Sequence, residues 1–189
     1  MPSWSAKNAE NKGTRLPWIF DRFKSRLKEQ YRNDPNAARI TIRAKGGQKD
    51  APGGVLRRYR TCHLPSRSAQ RCWRGRAGAG AGACSGDLLL GALAACAQIT
   101  CQMVAAAIGI PTELIEVTVE GDLDLRGTLG IPKEVPVGFE SIHLHFDVAA
   151  PKATPEQLRA LQEKTEQYCV VMETLMRPPS LQTKWAGQD

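Results

Sequence analysis

The six cysteines of this 189-residue chain include no Cys-x-x-Cys pair, and its three histidines are not spaced with them as zinc ligands would be. That argues against a structural zinc site. The opening stretch MPSWSAKNAENKGTRLPW lacks a basic region followed by an apolar one, so it does not read as a secretory signal, and the expected location is the cytoplasm. Disulfide scaffolds are small, secreted and loop-rich, whereas three of these cysteines fall in helical patterns, so reduced or redox-active thiols fit better. Acidic residues are missing from one region. Between Arg57 and Arg76 there are seven arginines and no acid; setting those seven aside from the 26 basic residues leaves 19 against 19 acidic ones.

The net charge of +7 is therefore local. Arginines neutralise phosphates, but this cluster has neither helical nor strand period, and Tyr59 and Trp73 are its only aromatics, so nucleic acid is not expected as a partner.

Length and a 42% hydrophobic content allow one domain with a core of its own. Residues 1–37 read as an N-terminal arm and 38–189 as the domain. In the arm, Ile19, Phe20, Phe23, Leu27 and Tyr31 recur at helical spacing with basic residues between them, and Asn33-Asp34-Pro35 ends the helix. Ala38 to Ala44 alternates, with Ile40 and Ile42 on one face; Gly-rich turns then lead to a second strand around Val55 to Tyr59. Residues 61–83 carry clustered arginines and an Ala/Gly repeat with no period, which reads as loop. The abrupt change of character there resembles a GC-rich gene translated out of frame. Resequencing that returned one continuous frame would dispose of that reading.

From Leu88 to Ile108 only Gln98, Thr100 and Gln102 interrupt an apolar run, with Ser85 as expected N-cap, Asp87 in the first turn and Gly109 with Pro111 as the stop. A membrane span is the rival reading, but the run is built on Ala and amphipathic strands follow directly, so a buried core helix is expected and no membrane. Leu114 to Glu120 alternates, with Ile115, Val117 and Val119 inward. Ser141 to Val148 does so again, with Ile142, Leu144, Phe146 and Val148 inward, and the two strands are expected to pair. Thr154-Pro155-Glu156-Gln157 opens a last helix, whose stripe Leu158, Leu161, Thr165, Tyr168, Cys169, Met172 and Leu175 or Met176 runs unbroken to Arg177-Pro178. A short closing strand over Leu181 to Trp185 completes the expectation. This order gives an α+β fold in which two long helices, one buried and one amphipathic, pack on an antiparallel sheet.

The segments CSGDLLLGALAACAQIT, VTVEGDLDLRGTLG with VPVGFESIHLHFDV, and EQYCVVMETLMRPPS resemble successive blocks of the OsmC/Ohr family in order and spacing, over about half the chain. The resemblance implies an intertwined homodimer and a cysteine-based hydroperoxide reductase, with an organic peroxide as substrate, a dithiol as reductant and no cofactor. It implies Cys96 as the peroxidatic thiol and Cys169 as the resolving one. The chemistry suits that assignment: a thiolate opens the O–O bond and becomes a sulfenic acid, which a nearby thiol converts to a disulfide.

Free cysteine is also a common small core residue, and Cys101, five positions after Cys96, reads that way. Cys84, at the helix start, is expected to have its pKa lowered by the dipole. Relatives use a Glu and an Arg to support the thiolate. Here the usual Glu position reads Gly86 with Asp87 beside it, and Arg43 and Arg57 are the candidates for the Arg. That departure keeps open a second reading, an impaired or non-enzymatic member of the fold that binds a small ligand. His143 and His145, together with Glu116, Glu120, Asp122 and Asp124, read as a solvated strand face ahead of a metal or acidic site.

Overall fold

The structure, a computed structural model, describes residues 16–47, 84–132 and 134–187. Helix α1 (Leu16–Asn33) stops where Asp34 turns its carboxylate onto the Asn36 amide at 3.1 Å, capping a 3-10 turn over Pro35–Ala38. Leu27 and Tyr31 lie four apart on one helix face and are both buried, which ties the arm into the core.

Strands β1 (Arg39–Gly47), β2 (Leu114–Asp124) and β3 (Phe139–Ala149) form one antiparallel sheet in that order. Alternation decides which side faces the core. Ile40, Ile42 and Ala44 on β1 and Ile115, Val117 and Val119 on β2 are buried, while Ile142, Leu144, Phe146 and Val148 on β3 pack on the same side. Register places Val117 opposite Phe146 and Val119 opposite Leu144. Each fully buried Val or Ile contributes about 1.5–3 kcal/mol, so the inner face of β2 alone outweighs any single polar contact of the sheet. The outer face carries the charge. Lys45 pairs with Glu116 at 2.7 Å, Arg43 with Glu120, and Asp122 accepts hydroxyl hydrogen bonds from Thr41 at 2.5 Å and Ser141 at 2.8 Å.

Strand β2 runs four residues beyond the expected Glu120. Its last residue, Asp124, is fully buried and caps the short helix α3 (Leu125–Leu129) by accepting the Arg126 amide at 2.9 Å and its guanidinium at 2.6 Å; Gly130, at φ 66°, ends that helix. The closing strand does not form, since residues 181–185 lack regular structure and leave Leu181 and Trp185 exposed. The strand expected at Val55 to Tyr59 and the Arg/Ala/Gly segment 61–83 lie outside the described residues.

Helix α2 (Ser85–Ala107) lies on the sheet, and α4 (Pro155–Tyr168) and α5 (Val170–Met176) lie against α2. One face of α2 is fully covered, through Leu90, Leu93, Ala94, Ala97 and Cys101. The opposite face is not. Leu88, Leu89, Ile99 and Met103 are between 38% and 67% exposed, so this face of the helix is left uncovered by the described residues. Length and composition alone would let α2 cross a membrane, but its packed face against β1 and β2 is that of a core helix. The helix stops as expected, with Gly109 left-handed at φ 72° and the Ile110 amide bonded back to Ala105 O at 2.8 Å.

Candidate functional site

The last helical stretch is broken at Cys169. Helix α4 begins with the Thr154/Gln157 capping box expected from sequence and ends at Tyr168; Cys169 is extended (φ −73°, ψ 104°), and α5 starts at Val170. The expectation of one continuous helix is corrected here, and with it the stripe. Leu161, Thr165, Cys169 and Met172 are buried, while Leu158, Tyr168, Leu175 and Met176 are exposed. Packing against α2 selects the inward residues of a stripe drawn too wide.

Cys169, fully buried at the end of α4, lies near Cys96 on α2, which is half-buried at the edge of the uncovered apolar face. The two thiols are near enough that the Cys96 sulfur raises the Cys169 pKa. Burial pushes the Cys169 thiol up to about 11, with the Met172 and Val171 amides pulling the other way and the Cys96 sulfur adding to the rise. Cys169 is thus held as a neutral thiol near Cys96. The two thiols lie on different elements that pack together, α2 and the α4–α5 junction.

The other two described cysteines are elsewhere. Cys101 is buried between α2 and α4, its sulfur against Thr165 and its thiol raised by burial, as a core residue should be. Cys84 is the N-cap of α2, a position expected for Ser85: its sulfur accepts the Asp87 amide at 3.4 Å while the Asp87 carboxylate accepts the Cys84 amide at 2.8 Å. The signal was in the sequence, because Cys-x-x-Asp has the spacing of a capping box with a thiol in place of the hydroxyl. The expected lowering of the Cys84 pKa is reversed. Burial raises it, and the neighbouring Asp87 carboxylate adds to that against the pull of the Asp87 amide.

Asp87 therefore serves the helix end, with one carboxylate oxygen on Cys84. At Gly86, where relatives are expected to carry Glu, an added Cβ would lie 2.8 Å from Ile42 Cδ1 and 3.3 Å from Phe139 Cζ, so the tips of those side chains must shift to admit one. Arg43 points to the outer face of the sheet and pairs with Glu120, away from the thiols; Arg57 lies outside the described residues. His143 and His145 are on the same outer face, both exposed, with His145 Nε2 3.1 Å from Asp147. The acids singled out by sequence are matched there by Lys45, Arg43, Thr41, Ser141 and Arg126.

The model of the OsmC-like protein family matches residues 78–184 of the chain. Among solved structures, an OsmC-like hydroperoxide resistance protein from Jannaschia sp. CCS1 is similar with a TM-score of 0.55 and 14% identity, covering 80% of this chain and 97% of its own. No curated protein matches the chain.

Proposed function

The chain belongs to the OsmC-like family, and we propose that it is a cysteine-based hydroperoxide reductase that takes organic peroxides and is recycled by a dithiol. The observation that carries this reading is the Cys169 thiol buried near the Cys96 sulfur. Cys96 is the peroxidatic residue. As thiolate it attacks the O–O bond of the hydroperoxide, the alkoxide leaves and takes up a proton as alcohol, and Cys96 becomes a sulfenic acid. Cys169 then attacks that sulfur, water departs, and a Cys96–Cys169 disulfide remains for a dithiol donor to reduce. Two electrons pass from the thiols to the peroxide, and no cofactor enters.

The surroundings of Cys96 bear on the substrate. Leu89 and Met103 lie seven residues to either side of it on α2, hence along the same line of the helix, and Ile99 one turn away; all three are exposed apolar residues. A bulky apolar peroxide gains from that surface what hydrogen peroxide does not. The same uncovered face supports a homodimer in which a second copy closes over α2 and shields Cys96 from water. A reducing cytoplasm would keep the dithiol donor available.

A second reading is favoured by one specific observation: position 86 is a glycine and Arg43 faces away, so the usual Glu and Arg support is missing from these positions. In that reading the protein is an impaired or non-enzymatic member that holds a small apolar ligand. Turnover of an organic hydroperoxide with a dithiol donor separates the two. Wild type should turn over, Cys96→Ser should be inert, and Cys169→Ser should stop after one equivalent at the sulfenic acid. A folded wild type with no turnover would assign the site to binding.

A further inference from the structure

Helix α4 carries one buried polar side chain, Thr165. It is 2% exposed, and its hydroxyl oxygen has no hydrogen-bond partner among the described residues. A threonine in a helix often turns its hydroxyl back onto the carbonyl four residues earlier, as Thr174 does onto Val170 O at 2.7 Å. Thr165 does not. A buried hydroxyl without a partner is costly, and one that persists calls for a use.

Its position fixes what it can reach. Thr165 and Cys169 are four residues apart, and the Cys169 amide bonds to Thr165 O at 3.1 Å, so the turn between them is helical. Side chains four apart on a helix stand one above the other, the later leaning back over the earlier. Both are buried on the side that meets α2, where Leu161, one turn before Thr165, packs in the same cluster as Cys101. The Thr165 hydroxyl is near enough to the Cys101 sulfur to draw that pKa down, though burial outweighs it. Burial holds Cys101 and Cys169 as neutral thiols, which are weak acceptors, so the hydroxyl stays unspent in the reduced protein.

We propose that Thr165 serves the resolving step: as Cys169 gives up its proton to attack oxidised Cys96, the Thr165 hydroxyl donates a hydrogen bond to the sulfur that is becoming a thiolate. This rests on the reading of Cys169 as the resolving thiol. In that step the S–S bond forms, the S–O bond of the Cys96 sulfenic acid breaks, and the departing hydroxide takes the Cys169 proton and leaves as water. Thr165 keeps its own proton throughout. A thiol accepts a hydrogen bond weakly and a thiolate strongly, so the donor contributes only as charge develops. Without it, the buried sulfur has the Met172 and Val171 amides alone to offset desolvation.

The test separates the hydroxyl from the shape of the side chain. Thr165→Val keeps the shape and removes the donor, and Thr165→Ser keeps the donor. Both are compared with a parent carrying Cys62→Ser, Cys72→Ser and Cys84→Ser, and the step is followed without peroxide. An aromatic disulfide reagent with a coloured thiol leaving group reacts first at Cys96, and attack by Cys169 on that mixed disulfide releases a second coloured equivalent. A hydrogen bond worth about one pKa unit changes the thiolate fraction about tenfold, of which about threefold survives in the rate, because a more basic sulfur attacks faster. Thr165→Val should therefore slow the second release about threefold near pH 8 and leave the first unchanged, and Thr165→Ser should restore it. Thermal stability of Thr165→Val should equal or exceed the parent's, since the lost hydroxyl had no partner. An unchanged second release in Thr165→Val, a slowed release that Thr165→Ser fails to restore, or a less stable Thr165→Val would each overturn the role. So would a parent with no second release, which removes the resolving role of Cys169 itself. A parent that gives both releases yet consumes no organic hydroperoxide sinks the peroxidase reading, and the release rates still decide Thr165.

Discussion

Removing Cys169 should change how the protein responds to alkaline pH by an amount that the burial of this thiol fixes. Its ordinary value is 9.0, and in the folded chain burial pushes it up to about 11, the Cys96 sulfur adding to the rise. Below pH 9 the thiol is neutral in both folded and unfolded chains, and its burial is undisturbed. Between pH 9 and about 11 the unfolded chain ionises first, so each unit of pH draws about 1.4 kcal/mol toward unfolding, or about 3 kcal/mol across the window. For a chain of this size that is roughly a 5–10 °C fall in Tm. The assay is thermal or urea unfolding between pH 8 and 11 under a non-thiol reductant, wild type beside Cys169→Ala. Cys84 and Cys101 are also raised by burial, but both remain in the variant and cancel in the difference. The difference between the two stability curves should be flat to pH 9 and then move against wild type by about 3 kcal/mol. Parallel curves up to pH 11 would refute a desolvated Cys169.

Three further outcomes follow from the packing. Gly86→Glu, which restores the residue expected from relatives, should lower stability by about 1–3 kcal/mol in denaturant unfolding, because its Cβ meets Ile42 Cδ1 at 2.8 Å; a variant as stable as the parent would show that seat to be open. Asp124→Asn should lower stability near neutral pH, since it removes the buried carboxylate that accepts the Arg126 amide and guanidinium. The Arg126 hydrogen bond holds the Asp124 carboxyl below its ordinary value, so wild-type stability from this pair is present above about pH 4 and lost as pH falls further, and the variant should lack that part of the acid transition. Thr154→Ala should cost about 1 kcal/mol by removing one half of the α4 capping box, with no effect on thiol chemistry.

Where side chains alternate or recur on one face, the sequence and the structure agree closely, because burial of those faces is what selects the element. Ile115, Val117 and Val119 are all fully buried, and the Thr154/Gln157 box opens α4 where it should. The pairing of Cys96 with Cys169 came from family resemblance, and in the fold the Cys96 sulfur is near enough to raise the Cys169 pKa. Three features were out of reach of periodicity. The break at Cys169 falls in a stretch with neither glycine nor proline, so helical periodicity runs straight through it. The closing strand at Leu181 to Trp185 failed because alternation over so few residues competes with Pro178-Pro179. Arg43 could be placed on a strand face by alternation, yet which face met the thiols depended on where α2 lay. Cys84 as N-cap was legible, and a thiol was passed over because hydroxyls and carboxylates usually fill that position.

The central claim is that Cys96 and Cys169 act as one redox pair, and the most direct measurement is peptide mapping by mass spectrometry after one equivalent of an organic hydroperoxide is added to the fully reduced protein. The expected product is a single intramolecular disulfide joining the Cys96 and Cys169 peptides, reversed by a dithiol, with Cys84 and Cys101 still free. A Cys96 carried to sulfinic acid while Cys169 stays reduced, or a disulfide that includes Cys84 or Cys101 in place of Cys169, would contradict it.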